Sequence, residues 1–292
     1  MVYKKSIGEK IFDIVVYALI WFSIVITVYP LIYIVSMSIS DPMAVARGEI
    51  WLLPKGFSLL VFKKVLNDSN ILLYYGNTIF YTVFGTICGV LVTALGAYPL
   101  SRKEFLCRNL VYKFIMFTMF FGGGIMATYI VVARFLHLYN TRWVLIVLGL
   151  TSPWYITIAK NYFQSLPEEL FESARIDGAS EYRIFGQIVL PLSKPVLAVL
   201  ALYMAVSHWN SYFDALLYTA DNKLRPLALY IRNVVVLNKM SNEDGSISVE
   251  ELLSFMQLKY VVIVVSVLPL ILIYPFVSKY LRKGLMIGAV KG

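Results

Sequence analysis

Charged side chains are scarce in this sequence. They make up 15% of its 292 residues, where a water-soluble domain of this size carries about 25%. Hydrophobic residues reach 59%, and the mean hydropathy is +0.73. Because no polar block is long enough to fold by itself, we predict an all-α integral membrane protein in which residues 1–292 form a single transmembrane domain.

Cysteine, histidine and the short motifs of catalysis are also rare or missing. Cys88 lies in an apolar run, Cys107 lies in a short polar turn, and His137 and His208 are far apart. This spacing favours neither a disulfide nor a metal site. The sequence has no GxSxG, HExxH or phosphate-binding loop. We therefore predict no catalytic residues, and no metal or cofactor bound by this chain.

The net charge of +9 does not indicate a nucleic-acid partner. Lys and Arg are scattered at the ends of apolar runs, which is how membrane orientation is encoded. We expect contact with membrane lipid and not with nucleic acid.

Six apolar runs have the length of about 20 residues that crosses a ~30 Å hydrocarbon core. The first follows Lys10 and is too long for the apolar part of a signal peptide, so we expect it to be retained. The six predicted spans are 14–37, 78–100, 111–134, 143–163, 195–217 and 260–281.

Lys and Arg are more frequent on the side of the membrane that carries the N-terminus. The excess is clearest in "SRKEFLCRNLVYK" (101–113) and in the tail "SKYLRKGLMIGAVKG" (278–292). Basic residues near the ends of spans favour the cytoplasmic side. We therefore predict a multi-pass protein with both termini and residues 160–195 in the cytoplasm.

Small residues mark one face of the second span, at Gly85, Gly89, Thr93 and Gly96. Such a face lets helices approach closely in lipid. Internal packing is the favoured interpretation, and a contact with another subunit is the alternative.

The third span contains "FFGGGIMATY", with Gly123 at the centre of three glycines. Each glycine weakens a helix by about 1 kcal/mol relative to alanine. An irregular backbone in lipid is tolerated only against protein or a water-filled cavity. Gly123 is therefore a candidate for a break that lines a transport pathway, and a kinked packing helix is the alternative.

The fifth span contains "SHWNSYFDALLY". Helical spacing places Ser207, Asn210, Ser211 and Asp214 on one face, flanked by aromatic rings. Polar residues within a span usually face a bundle interior or a cavity. Asn210, Tyr212 and Asp214 are our candidates for the pathway, and packing or an interfacial aromatic belt is the alternative.

The most polar run between two spans is "ESARIDGASEYRIFGQIVLPLSKP" (172–195). Glu172 and two preceding glutamates favour the N-terminal end of a short helix. Gly178 supplies the left-handed residue that ends it, and Pro191 is expected to end a second helix. Residues 167–191 thus read as two short helices that meet at a glycine, either a knob for another protein or an ordinary structured loop.

This run resembles the EAA motif of ATP-binding-cassette importer permeases, which has the pattern E-A-A-x3-G-x9-I-x-L-P. Ser173 stands where the pattern has alanine. The matching residues are Glu172, Ala174, Gly178, Ile188, Leu190 and Pro191. The longer sugar-permease form is matched by Asp177, Ala179, Phe185 and Pro195.

The resemblance extends along the chain, through "NTRWVLIVLGL", "RPLALYIRN" and the tail. These segments are similar to the oligosaccharide permeases related to the MalG subunit of maltose transporters. The resemblance implies a bacterial cytoplasmic-membrane subunit with six transmembrane helices and the MetI/MalG-like fold. It also implies a cytoplasmic coupling helix in which Glu172 contacts a basic residue of an ATPase, with Gly178 as the hinge.

The same resemblance implies the partners. They are a second homologous permease, two cytoplasmic ATPase subunits that hold ATP and Mg²⁺, an extracytoplasmic solute-binding protein and an oligosaccharide substrate. Alternatives are an importer permease for a non-sugar solute or a secondary transporter. We find no inverted repeat, which would support a secondary transporter. An intramembrane enzyme is disfavoured by the lack of a Ser/His or paired-Asp site within the spans.

Overall fold

The computed structural model describes residues 6–236 and 249–289, and these residues are predominantly helical. Within them, extended pairing is limited to one isolated bridge between Ser40 and Phe57. This confirms the all-α prediction. In chain order the α-helices of the described residues are α1 Ile7–Ile39, α2 Pro42–Ala46, α3 Leu60–Leu66, α4 Ser69–Ser101, α5 Arg108–Phe120, α6 Gly124–Ile130, α7 Trp143–Leu148, α8 Pro153–Gln164, α9 Glu169–Ile176, α10 Glu181–Ile184, α11 Leu190–Leu192, α12 Lys194–Trp209, α13 Phe213–Tyr218, α14 Leu227–Val236 and α15 Val249–Ala289.

Three helices are long and apolar enough to cross a membrane: α1, α4 and the Met256–Ile273 part of α15. Two bent pairs pass the same test together. Arg108–Phe120 meets Gly124–Phe135 at 116°, and Glu181–Leu192 meets Lys194–Trp209 at 79°. The described residues therefore hold three candidate spans, or up to five if each bent pair counts as one. The total of six stays a prediction.

Three runs that we predicted as continuous spans are interrupted in the structure. The run 111–134 bends within its glycines, where Gly124 has a φ of +76° that L side chains rarely adopt. The run 143–163 is divided into α7 and α8, because Pro153 cannot continue a helix from the preceding turn but suits a first turn. The run 195–217 is divided between α12 and α13.

The chain divides into two compact units. The first contains the described residues of Met1–Ser69 and Asn233–Leu268, and the second contains those of Asn70–Arg232 and Pro269–Gly292. This division was not visible in the composition, because the sequence is apolar throughout.

In the first unit, a buried amide joins α15 to the end of α1. The Gln257 side chain is 1% exposed. Its Nε2 donates to the carbonyl oxygens of Met37, Ser38 and Ser40 at 3.1, 2.9 and 2.8 Å. An amide NH2 group has two hydrogens, so these three main-chain acceptors share them where α1 ends, and an unpaired acceptor buried there would be costly.

The second unit is built on two buried clusters. One joins α4, α8, α9, α10 and α12, and the other joins α4, α7, α13 and α14. The first contains Ala94, Ala97, Tyr98, Ala159, Phe163, Phe171, Ile184, Val189 and Leu200. The second contains Tyr81, Val132, Val144, Leu145, Ile146, Ala215, Tyr218 and Leu229.

The small-residue face of α4 lies against other parts of the second unit. A Cβ at Gly85 would lie 2.4 Å from Nε2 of His208, and a Cβ at Gly89 would lie 2.8 Å from the carbonyl oxygen of Leu150. A Cβ at Gly96 would meet no atom within 4 Å. Two of the three glycines therefore serve internal packing, as favoured from the sequence, and the third does not.

Candidate functional site

The helix α9 ends in a glycine turn of a well-defined type. Gly178 has a φ of +78°, which is the left-handed conformation predicted for it. Its N–H donates to the carbonyl of Arg175 at 3.0 Å, and the N–H of Ala179 donates to the carbonyl of Ala174 at 2.9 Å. These two bonds form a Schellman motif. The motif explains why glycine stands at 178.

Nine of the ten residues that match the EAA pattern and its longer form, all except Pro195, are our predicted coupling residues, and they fall into two sets. Five are partly buried and pack against the first cluster: Ala174, Ala179, Phe185, Ile188 and Leu190. Four are exposed: Glu172, Asp177, Gly178 and Pro191. Ile176, which sequence reasoning did not single out, is 86% exposed at the end of α9. The loop therefore has one face that packs against the cluster and one face that is exposed.

The second helix of the loop does not end at Pro191. The chain runs from α10 through a π-helical turn at Phe185–Val189 into α11. The ring of Pro191 would clash with the carbonyl of Gln187 in a regular α-helix, and Pro191 has no N–H to donate to it. A π-bulge before the proline relieves this conflict. The prediction that Pro191 ends the helix is therefore wrong, and the helical path continues to Leu192.

An ionic network that sequence reasoning missed ties α9 to α10 and to the end of α4. Nη1 of Arg175 lies 2.7 Å from Oε1 of Glu104, and Nε lies 3.1 Å from Oε1 of Glu181. The Tyr98 hydroxyl donates to Oε2 of Glu181 at 2.6 Å. Tyr98 belongs to α4, so Glu181 links α4 and α9 through one carboxylate.

A second arginine holds α9 from the same side. The Arg102 guanidinium lies 3.9 Å from the centre of the Phe171 ring and donates to the carbonyl oxygen of Phe163. Phe171 is buried in the first cluster. A more exposed pair, Lys103 with Glu168 at 3.0 Å, completes the contacts. The mixed charges of "SRKEF" (101–105) are a sequence signal for ion pairs, beyond the orientation that its basic residues predict.

Glu104 is held as a carboxylate. Its own backbone N–H and the Arg175 guanidinium lower the pKa of the Glu104 carboxyl below its ordinary value, against partial burial that raises it. A lowered pKa favours the charged form. The ion pair with Arg175 is therefore fully formed at neutral pH.

A cavity of about 600 Å³ lies beside this network. Its polar lining comes from Tyr98, Arg102, Glu104, Arg175 and Glu181, and its remaining lining is mostly apolar. The charged side chains therefore border open space on one side and the packed cluster on the other.

The opposite end of α4 is held by neutral hydrogen bonds to the main chain of residues 223–227. Nδ2 of Asn77 donates to the carbonyl oxygens of Lys223 and Arg225 at 2.7 and 3.0 Å. The Tyr81 hydroxyl donates to the carbonyl oxygen of Leu224 at 2.7 Å. Thr78 accepts from the N–H of Leu227 at 2.8 Å. Asn77, Thr78 and Tyr81 are all buried.

Asn140 also supports the region that follows α13. Asn140 has a φ of +55°, and its N–H donates to the carbonyl oxygen of Tyr218 at 2.8 Å. Its Oδ1 accepts from the N–H groups of Ala220 and Asp221 at 3.0 and 2.8 Å. Asn140 opens the segment "NTRWVLIVLGL", which had been noted only as part of a resemblance.

The predicted pathway residues of the fifth span are not on one continuous helical face. Asn210 ends α12, and its Nδ2 donates to the Val206 carbonyl of the same helix at 2.9 Å. Tyr212 precedes α13 and is 43% exposed, with its ring edge-to-face with Phe213. Asp214 is half-buried in the first turn of α13. The break after Asn210 interrupts the predicted face, which assumed an unbroken helix.

Gly123 lies in the break between α5 and α6, as expected for the three glycines. It is exposed, and a Cβ there would meet only the Cβ of Ala127, at 3.4 Å. Crowding therefore does not require a glycine at 123, whereas the positive φ of Gly124 favours one at the next position. In the part of the chain that the structure describes, no three His, Cys, Asp or Glu side chains come together as a metal site.

The chain matches a family model described as "Binding-protein-dependent transport system inner membrane component" over residues 2–287. Protein LplC of Bacillus subtilis is 40% identical over 267 residues, which cover 91% of this chain and 90% of that protein. The polygalacturonan/rhamnogalacturonan transport system permease protein YtcP of Bacillus subtilis is 34% identical over 290 residues, covering 97% of this chain and 99% of that protein.

A solved structure shares the fold over nearly the whole chain. It is the crystal structure of a bacterial ABC transporter involved in the import of the acidic polysaccharide alginate. The TM-score is 0.89 at 33% sequence identity, and the match covers 96% of this chain and 99% of the matched chain.

Proposed function

Because the chain belongs to the family of binding-protein-dependent transport system inner membrane components, we infer that it is the transmembrane permease subunit of an ATP-driven importer of oligosaccharides or polysaccharide fragments. It is a multi-pass protein of the inner membrane and is not an enzyme by itself. The observation that carries this conclusion is the match to the alginate importer structure along 96% of the chain.

The proposed complex contains a second homologous permease, two ATPase subunits and an extracytoplasmic solute-binding protein. ATP and Mg²⁺ act at the ATPase subunits. This composition is supported by the family and by the open face of the 167–191 loop, which presents Glu172, Ile176 and Asp177 without covering them.

The proposed orientation places that open face in the cytoplasm. Its support is the excess of Lys and Arg in the predicted inner segments, which is clearest in residues 101–113 and 278–292. The test uses a variant without cysteine, made by Cys88→Ser and Cys107→Ser, that carries one new cysteine at Ser6 or at Asp221. An impermeant thiol reagent applied to intact cells should label position 221 and not position 6. The reverse pattern would contradict the orientation.

The proposed cargo class is supported by two relatives whose names refer to acidic polysaccharides, galacturonan and alginate. The test is uptake by cells that lack this chain and cells that carry it back from a plasmid. The labelled probes are oligogalacturonides, alginate oligosaccharides, maltooligosaccharides and an amino-acid mixture. Uptake of a saccharide that depends on the chain supports the proposal. Uptake that depends on the chain only for the amino acids would favour a non-sugar importer.

The proposed transport pathway passes the break between α12 and α13. Polar groups at Asn210, Tyr212 and Asp214 need surroundings other than lipid, and the exposed break at Gly123 is a second candidate. Asn210→Leu should reduce uptake and leave assembly intact, because its amide bonds only to its own helix. Unchanged uptake in that variant, measured beside Tyr203→Leu as a control at an exposed position on α12, would remove Asn210 from the pathway.

A further inference from the structure

We propose that Arg175 is a positioning residue for coupling, which passes the displacement of α9 by the ATPase to α4. This inference rests on the proposed function, because it assumes that an ATPase displaces α9. It adds a second part to the coupling device, which the EAA pattern places in the 167–191 loop alone.

The Arg175 side chain reaches two different carboxylates from the last turn of α9. Nη1 lies 2.7 Å from Glu104, in the segment that follows α4, and Nε lies 3.1 Å from Glu181 of α10. Because guanidinium N–H groups are fixed in a planar fork, holding both partners fixes the side chain in one direction. Arg175 is 32% exposed, which is less than either partner at 53%.

Both carboxylates lead back to α4. Glu104 is three residues beyond its last helical position, Ser101. Glu181 accepts the hydroxyl of Tyr98, which lies within α4, at 2.6 Å. A shift of α9 therefore acts on α4 through two charged links, in addition to the packing of Phe171 under Arg102.

The surroundings allow the ion pairs of Arg175 to change their geometry without disrupting a packed core. The cavity of about 600 Å³ borders Arg175, Glu104 and Glu181. A buried packed contact resists displacement, because interiors are dense and voids are few. Ion pairs beside open space can instead change their geometry, and a contact that differs between two states is what coupling requires.

The helix α4 is suited to carry the shift to the other end of the second unit. It is one helix of 33 residues, Ser69–Ser101. At its far end Asn77 and Tyr81 hold the main chain of residues 223–225. Movement of α4 would therefore reach this segment without passing through a loop.

Ion pairs that are half exposed contribute little to folding stability. Removal of Arg175 should therefore spare assembly and affect coupling, which is a result that a merely structural residue would not give. Lys103 offers the matched control, because it also forms an ion pair with the α9 end of the loop, at Glu168, but its side chain is 72% exposed and that of Arg175 is 32% exposed.

The experiment uses the purified complex in liposomes, with wild type, Arg175→Met, Arg175→Lys, Glu104→Gln and Lys103→Met. The first measurement is ATP hydrolysis without the binding protein, compared with hydrolysis in its presence with oligogalacturonides and alginate oligosaccharides. Arg175→Met should lower the ratio of stimulated to basal hydrolysis about fivefold or more, the lower end of usual coupling between sites. Arg175→Lys should recover part of the ratio, and Lys103→Met should leave it unchanged.

The second measurement needs no saccharide. A single cysteine replaces Lys223 in the cysteine-free chain, and its rate of thiol labelling is compared with and without ATP under conditions that prevent hydrolysis. ATP should change the labelling rate in the wild type and not in Arg175→Met. A double-mutant cycle between Arg175→Met and Glu104→Gln should be non-additive in both measurements.

The outcomes separate the inference from the function on which it rests. If the wild type carries no ATPase, the proposed function is wrong. If the wild type carries its ATPase but ATP does not change the labelling rate of Lys223→Cys, the proposed movement is wrong. If ATP changes the labelling rate in the wild type, and changes it by the same amount in Arg175→Met and in Glu104→Gln, Arg175 does not transmit the shift. Loss of the ATPase subunits from Arg175→Met would also overturn the proposal, since it would make Arg175 a docking residue.

Discussion

The two ends of α4 are fastened by different chemistry. At the end near Asn77, buried amide and hydroxyl groups donate to main-chain carbonyls of residues 223–225. At the end near Tyr98, half-exposed charged side chains meet one another beside a cavity. The first arrangement is buried and neutral, and the second is partly exposed and ionic.

This difference suits one end of α4 to stabilising the fold and the other end to movement. Buried neutral hydrogen bonds leave unsatisfied groups when they break, at a cost of about 1–3 kcal/mol for each group. Exposed ion pairs are worth about 0–1 kcal/mol and can exchange with water. The end near Asn77 is therefore expected to determine stability, and the end near Tyr98 is expected to determine coupling.

The largest expected effect is on stability, at the end near Asn77. Asn77→Leu removes two hydrogen bonds and leaves the carbonyls of Lys223 and Arg225 without this donor. We expect a loss of about 2–4 kcal/mol in the free energy of unfolding. It should appear as a lower midpoint of thermal unfolding and a lower yield of complex. Asn210→Leu is the control, because its amide is exposed and bonds within its own helix.

A matched pair of tyrosines sharpens the comparison. Tyr81→Phe removes a hydroxyl that bonds to a carbonyl, and should cost about 1–2 kcal/mol of stability. Tyr98→Phe removes a hydroxyl that bonds to half-exposed Glu181, and should cost less than about 1 kcal/mol while lowering stimulated ATP hydrolysis. Equal effects of both variants on stability and hydrolysis would abolish the distinction between the ends.

A higher salt concentration should weaken the contacts at the end of α4 near Tyr98 and not those at the end near Asn77. Raising NaCl from about 0.1 to 1 M shortens the screening length from about 10 to about 3 Å. The ratio of stimulated to basal hydrolysis should fall by about twofold in the wild type and by less in Arg175→Met. The stability lost in Tyr81→Phe should not depend on salt, because its bond is neutral. A fall of equal size in wild type and Arg175→Met would show that the ionic network is not what salt weakens.

The smallest expected effect is that of pH. The pKa of the Glu104 carboxyl is lowered in the folded chain, so its contribution is complete above the ordinary glutamate pKa of about 4.3 and is lost as pH falls through the folded value. Between pH 8 and about 5.5, protonation of Glu104 should not change the hydrolysis ratio. Glu104→Gln should lower the ratio at pH 7 and leave its pH profile in this range unchanged in shape. A wild-type profile that falls in this range and flattens in Glu104→Gln would contradict this expectation.

Local sequence signals predicted the loop better than the spans. Gly178 was identified because a left-handed position after a short helix needs glycine, and the turn is set by neighbouring residues alone. Glu172 was placed by its charge near the start of the same helix, whereas Ala174 and Ala179 were identified through the resemblance to the EAA motif. These features depend on few contacts from distant parts of the chain.

The features that the sequence did not predict depend on contacts between residues that are far apart in the chain. Arg175 meets Glu104 across 71 positions of the chain, and Asn77 meets Lys223 across 146. The breaks at Pro153 and after Asn210 had local signals in proline and asparagine, but a long apolar run was given more weight. Hydropathy averages over a window and does not detect a break of a few residues.

The most direct test of the central claim concerns the exposed face of α9. Glu172→Lys and Glu169→Lys reverse one charge each in the first turn of the same helix, where both side chains are exposed, and only Glu172 belongs to the EAA pattern. The complex is purified through a tag on this chain, and the ATPase subunits that remain bound are quantified along with stimulated ATP hydrolysis. We predict that Glu172→Lys loses the ATPases or their stimulation, while Glu169→Lys keeps both. If Glu172→Lys retains its ATPases and full stimulated turnover, α9 is not the coupling element.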